Sequence, residues 1–485
     1  MKRKLLSITA LLSCGLGAFA NPVSVQTAQK VAENFMSKKV AAAAGLNLQL
    51  SKTYTALGTS GQASLYIFDV NNGSGFVIVS GDDAVTPVLG YSAENKFPVA
   101  VTNNEVNYWM DGYNEQISAV IDHQVAATTA IASDWNKLIT NTGKDDLARG
   151  TDVSPLLRTK WNQDGNGFED LCPSNTPTGC VATAMAQIMK FWNYPEVGVG
   201  NHSYTAPAPI NAVQTADFAN TTYMWANMPN ELTTNSNSAQ RGAIATLMFH
   251  CGVSVDMSYN YASAGGSGSF VISSGSPIQH CSEYALKTYF KYSTDIKGLA
   301  RSQYADKDAE WIALLKTELD AGRPILYTGR GSGGGHAFVF DGYDGINRFH
   351  INWGWGGSSD GYFIVNNLSP SVLGTGGGAG NFNSGQQALT KIFPNNVTKI
   401  VNVEGADKIN AYPVPASDKL NIDLSRFEGK VTAIQLYNIQ GQKVLSQEVK
   451  GAQAVMPVSQ VAQGMYLLHL QSDKGTIIRK VSVVK

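Results

Sequence analysis

One cysteine in this chain stands where a turn must run straight into a helix, and one histidine stands where a glycine run opens a strand. The first segment is Pro177-Thr178-Gly179-Cys180-Val181-Ala182-Thr183-Ala184; the second is Gly334-Gly335-His336-Ala337-Phe338-Val339-Phe340-Asp341-Gly342. Beyond Cys180, the residues Val181, Ala184, Met185, Ile188 and Trp192 recur at helical spacing and make one apolar face. The region that carries both segments mixes helices with strands, and the chain is expected to be α+β. A third segment, Asn352-Trp353-Gly354-Trp355-Gly356, adds an amide. Thiol, imidazole and amide in that chain order are what a cysteine peptidase needs.

Gly179 and Thr178 permit a sharp turn that leaves the Cys180 thiol at the helix N-terminus. Unpaired N–H groups and the positive dipole end stabilise a thiolate there. In isolation, Cys180 also reads as a buried cysteine starting a core helix. A free thiol with pKa about 8.5 is roughly 3% ionised at pH 7. Full ionisation therefore gains only about thirtyfold, near 2 kcal/mol. A proton donor for the leaving amine and an oxyanion site must supply the rest.

His336 is the best donor among seven histidines, because Gly335 and its neighbours let substrate or another backbone come close. Asn352 is expected to orient the imidazole through its side-chain oxygen, with Trp353 shielding that bond from water and, with Gly335, lining the substrate site. His202, His280 and His350 lack comparable surroundings. Cys172, Cys251 and Cys281 read as buried small hydrophobes, one pair of which could oxidise, and neither cysteines nor histidines are spaced for zinc. The chemistry calls for no metal and no organic cofactor.

Lys2, Arg3 and Lys4 precede an apolar run over 5–12, and Ala18-Phe19-Ala20 offers a cleavage site, so 1–20 is expected to be a signal peptide. Leu11-Leu12-Ser13-Cys14-Gly15 loosely resembles a lipoprotein processing site. The chain has 485 residues, 43% hydrophobic and 15% charged, with net charge −1. That is enough for several domains, and the charge gives no reason to expect nucleic acid as a partner. Residues 21–149 read as a small α+β unit, with helices near 28–36 and 106–125 and strands over 64–70 and 75–80. A polar stretch, 141–152, contains Arg149-Gly150, a natural point for propeptide removal. Residues 150–394 hold all three chemical segments. Residues 395–485 alternate as strands, including 431–437 and 464–470, and read as a β-sandwich.

The segment around Cys180, with Ala186-Gln187-Ile188-Met189-Lys190, resembles the nucleophile segment of the streptopain family. Gly335-His336-Ala337-Phe338-Val339 resembles its histidine segment, and Asn352 to Gly357 its orienting segment. The resemblance implies a papain-like fold of two lobes, preceded by an inhibitory prodomain folded against the cleft. It implies that Cys180 is the nucleophile, His336 the general acid–base, and Gln163 a partner of the Cys180 N–H in the oxyanion hole. Ser263, Ala264 and Gly265 fall at the family's substrate loop, although Ala264 and Gly265 depart from the expected Gly and Ser. Residues 374–383 resemble a glycine-rich loop beside the cleft. Asn410-Ala411-Tyr412-Pro413, Tyr437-Asn438 and Gly464-Met465-Tyr466 resemble a type IX secretion sorting domain.

The expectation is a secreted or surface-held endopeptidase made as a zymogen. Its partners would be peptide substrates, its own prodomain and the outer-membrane secretion machinery. An acyltransferase on the same fold, or a peptide-binding adhesin without catalysis, would keep much of the same sequence.

Overall fold

Strands from the N-terminal and the central regions join into one antiparallel sheet in the computed structural model. The structure describes residues 21–39, 48–98, 104–142, 153–365, 384–395, 408–438 and 443–484, less positions 274, 276, 306, 332, 333, 346, 450 and 474. The expected signal peptide, Cys14, Arg149 and the loop 374–383 lie outside these residues.

The helices are α1 (Val25–Lys39), α2 (Asn104–Asp122), α3 (Thr129–Thr140), α4 (Cys180–Trp192), α5 (Ser238–Ser254), α6 (Ser282–Thr288) and α7 (Asp308–Asp320). The N-terminal strands are β1 (Leu50–Leu57), β2 (Ala63–Val70), β3 (Gly75–Ser80) and β4 (Val88–Ser92). The central region adds β5 (Asn201–Thr205), β6 (Val213–Asp217), β7 (Lys297–Ala300), β8 (Ile325–Gly331), β9 (Gly334–Tyr343), β10 (Arg348–Asn352), β11 (Gly361–Ile364) and β12 (Ser384–Thr390). The large sheet runs β1-β2-β3-β4-β11-β10-β9-β8-β12-β7, and β5 and β6 form a separate hairpin.

The N-terminal α+β region joins the peptidase region by strand pairing: β4 pairs with β11, Tyr91 opposite Tyr362 and Gly90 opposite Phe363. The two tyrosine rings stack at 5.1 Å across the seam. Glycine is required at 90, because a Cβ would lie 2.9 Å from Phe363 Cδ1. The physical reason for the merger is that neither strand is left with unpaired N–H and C=O groups at an edge.

Period-two alternation sorts side chains to the two faces of β2: Leu65 and Ile67 enter one core, Tyr66, Phe68 and Val70 the other. The first core continues through Phe338, Phe340, Phe349 and Phe363 and is closed by Trp109, Tyr113 and Ile117 of α2 and by Trp311 of α7. N-terminal and central regions thus share one hydrophobic core. A further core is built on α4 and α5 and takes Ala337 and Val339 from β9.

A second compact unit spans Asn395–Lys485. It contains β13 (Asn410–Tyr412), β14 (Lys419–Asp423), β15 (Val431–Asn438), β16 (Lys443–Glu448), β17 (Gln453–Pro457), β18 (Gly464–Ser472) and β19 (Gly475–Val483). They form sheets of order β13-β14-β17 and β16-β15-β18-β19. Leu420, Ile422, Ile434, Leu436 and Leu468 fill the core of this unit.

Candidate active site

Helix α4 begins at Cys180, and Gly179 before it has φ 88°. A Cβ at 179 would meet Met257 Sδ at 2.8 Å and Ser267 O at 3.0 Å, so only glycine fits the turn. Thr183 N donates to Gly179 O, and the Thr178 and Thr183 hydroxyls meet at 2.8 Å, closing the first turn. No side chain caps this helix start. Cys180 is half-buried, whereas Val181 to Met189 are buried.

His336 is 1% exposed. Its Nε2 lies 3.1 Å from the backbone oxygen of Trp353. A carbonyl only accepts, so this bond puts the proton on Nε2 and leaves Nδ1 as the nitrogen able to exchange one. The ring stacks on Trp355 at 4.8 Å, and Trp355 stacks on Trp353 at 5.4 Å.

The loop that holds His336 rests on the cysteine helix. A Cβ on Gly354 would approach Thr183 Cγ2 to 3.2 Å, one helical turn beyond Cys180. Gln187, one turn further along α4, donates from Nε2 to Asn352 Oδ1 at 2.9 Å. Its Oε1 accepts from Thr159 Oγ1 at 2.8 Å, and Asn352 Nδ2 donates to Thr159 O at 2.8 Å.

Asn352 therefore does not take the expected position. Its oxygen accepts from Gln187 and from Gly354 N, and the third partner of the imidazole is the main-chain carbonyl of the next residue. The Trp353 side chain is covered while the N-terminal region is attached. It is fully buried, donates from Nε1 to Ser359 O at 3.1 Å, and packs edge-on against Trp109 of the N-terminal region at 5.6 Å.

Gln163 is half-buried, and its carbonyl accepts from Thr178 N at 2.8 Å, which sets it beside the helix start. Ser263, Ala264 and Gly265 are exposed, at a 3-10 turn in the loop closed by the Ser258–Gly268 bridge. That loop adjoins Gly179 through Met257 and Ser267. Gly335 is exposed next to the buried His336. Cys172, Cys251 and Cys281 are buried and free, and no pair among them is joined.

A buried ionic cluster lies behind the Trp353 loop. Trp353 N donates to Asp360 Oδ1 at 2.9 Å. Burial pushes the Asp360 carboxyl up to about 7, despite that N–H and the nearby His350 and Lys160 charges. His350 Nδ1 meets Asp341 Oδ1 at 2.6 Å. Burial alone would lower the His350 pKa, but Asp341 outweighs it and the net direction is up. Sequence reasoning missed Gln187 and Asp360. The only signal for Gln187 was its place in the polar gap of an otherwise apolar helix.

Residues 161–363 match the Peptidase C10 family, 20–117 the Spi protease inhibitor family, and 410–484 the secretion system C-terminal sorting domain. Streptopain of Streptococcus pyogenes is 36% identical over 417 residues, covering 81% of this chain and 100% of streptopain. The chain belongs to the streptopain family. A thiol protease/hemagglutinin, PrtT of Porphyromonas gingivalis, is 30% identical over 81% of this chain and 44% of its own. A fragment of prointerpain A of Prevotella intermedia, a solved structure, superposes with a TM-score of 0.55 at 31% identity, covering 72% of this chain and 99% of the fragment. This streptopain-family member is a cysteine endopeptidase made as a zymogen, and its sorting domain sends it across the outer membrane. Within the family frame, the Spi-like region is the one whose strands extend the sheet through β4 and β11.

Proposed function

We propose that Cys180 and His336 perform the peptide hydrolysis, with the Trp353 carbonyl in the orienting role. The bond from His336 Nε2 to Trp353 O carries this reading. It holds the ring in one tautomer and aims Nδ1 for proton exchange with the thiol. The Cys180 thiolate attacks the scissile carbonyl carbon, and the oxyanion is met by the Cys180 N–H and the Gln163 side chain. His336 Nδ1–H then protonates the departing amine as the C–N bond breaks. Water attacks the thioester, gives its proton back to Nδ1 and frees the acid. Asn352 is a positioning residue, tying the 352–354 loop to α4 through Gln187. Gly335 and the exposed turn Ser263, Ala264 and Gly265 flank the substrate, while Trp353 acts only from behind the imidazole.

We assign the boundaries 1–20, 21–149, 150–394 and 395–485 to signal, inhibitor, peptidase and sorting regions. The inhibitor is the chain's own N-terminal region, and the secretion machinery reads the tail. Denatured casein incubated with the proprotein, its Cys180→Ala form and its Gln163→Ala form tests the roles by intact mass. Cleavage and self-maturation are expected to vanish in Cys180→Ala. Gln163→Ala is expected to lose roughly 2.7–4 kcal/mol of transition-state stabilisation. Normal turnover by Gln163→Ala would remove it from the oxyanion hole.

A further inference from the structure

Two histidines and one aspartate, far apart in the sequence and unused by the hydrolysis, converge beside the loop that touches the nucleophile turn. His202 lies on β5, Asp256 follows α5, and His280 precedes α6. His202 Nε2 lies 2.5 Å from Asp256 Oδ1, and His280 Nδ1 lies 2.7 Å from Asp256 Oδ2. One nitrogen from each ring and one carboxylate oxygen fall within 4.8 Å of one another. Side-chain exposures of 19%, 25% and 56% leave the group within reach of solvent on the His280 side. Asp256 and His280 both hold positive φ, 51° and 53°, which non-glycine residues seldom adopt.

We propose that His202, Asp256 and His280 form a binding site for a divalent transition-metal ion of the zinc type. Two imidazoles and one carboxylate are the borderline ligands zinc takes, and the two nitrogens select against calcium and magnesium. Zinc–ligand bonds of about 2.0–2.2 Å set tetrahedral neighbours roughly 3.3 Å apart, so each imidazole moves by less than about 1 Å. Bound metal replaces both contacts of the rings with the carboxylate. Water takes the fourth position.

The ion would fasten three chain stretches at the neck of one loop. Met257, next to Asp256, is the residue whose sulfur excludes a side chain at Gly179. The Ser258–Gly268 and Phe270–Cys281 bridges hold the exposed turn at Ser263 in the stretch between Asp256 and His280. Metal at this neck stiffens a wall beside Cys180 without touching the thiol.

The test uses untagged full-length proprotein carrying Cys180→Ala, so that the thiol–imidazole pair cannot hold the probe. Zinc ion alone is titrated calorimetrically, and cobalt(II) is added to read ligand-field bands. One equivalent is expected to bind, with tetrahedral cobalt absorption and slowed amide exchange over 256–281. His202→Ala with His280→Ala should weaken binding by at least the roughly 10–100-fold lost when a mere second-shell partner goes. Asp256→Asn, which keeps the shape and one oxygen, should weaken it as well and guards against a folding artefact. Absence of saturable binding, or binding unchanged in both variants, would overturn the site and leave a hydrogen-bonded triad.

Discussion

Gly354→Ala isolates the carbonyl that orients His336. Gly354 has φ 76°, and a Cβ there would lie 3.2 Å from Thr183 Cγ2. An L-residue in the left-handed region costs roughly 1–2 kcal/mol, and the contact with Thr183 adds to it. Turning the peptide between 353 and 354 relieves both, but that peptide carries the oxygen accepting from His336 Nε2. A hydrogen bond to a charged group contributes about 1.5–3 kcal/mol, so losing it when the imidazolium forms should lower kcat/KM roughly 10- to 150-fold. Gly356→Ala is the control: φ is 64°, the backbone cost is similar, and a Cβ there has nothing within 4 Å. The assay is kcat/KM of matured enzyme on a fluorogenic peptide, normalised by titrating the thiol with an alkylating agent. A Gly354→Ala enzyme within twofold of the parent, or an equal loss in Gly356→Ala, would refute the orienting role of Trp353 O.

Asp360→Asn should flatten the pH dependence of stability. The folded carboxyl titrates near 7 against 3.8 when free, so the folded state holds the extra proton and loses stability as pH rises through that window. Between pH 5 and 8 the parent should lose about 3 kcal/mol more than the variant, less whatever the His350 charge returns. Urea midpoints of the Cys180→Ala background at both pH values check it, and equal slopes would contradict it. Trp109→Ala should destabilise the zymogen by roughly 3–5 kcal/mol, as for other buried tryptophans. The kcat/KM of fully matured enzyme should not change, because residue 109 is gone by then; differential scanning calorimetry and a peptide assay separate the two.

The chemistry was more legible than the architecture. Gly179-Cys180 and Gly335-His336 announce themselves through local backbone requirements, and the helix and strand that carry them follow from periodicity. Asn352 misled because a sequence displays side chains, whereas the oriented proton goes to the carbonyl of Trp353. Gln187 takes the Asn352 oxygen, and nothing local says that a helix glutamine reaches a residue so distant in the chain. The β4–β11 pairing was hidden for the same reason: nothing near Gly90 in the sequence shows that Phe363 lies over it. His202, Asp256 and His280 show no metal-ligand spacing, because the hairpin, the helix end and the loop that bring them together are long-range features.

Maturation changes the status of one strand. While the N-terminal region is attached, β11 is an interior member of the sheet, flanked by β4 and β10. Excision of that region turns β11 into a rim, and the main-chain groups of Tyr362 and Phe363 that faced β4 become a template for any extended chain. The strand is only Gly361–Ile364, and such brevity is one way natural sheets blunt an open margin. The released fragment carries the matching strand β4, so the matured enzyme and its own discarded piece keep complementary edges.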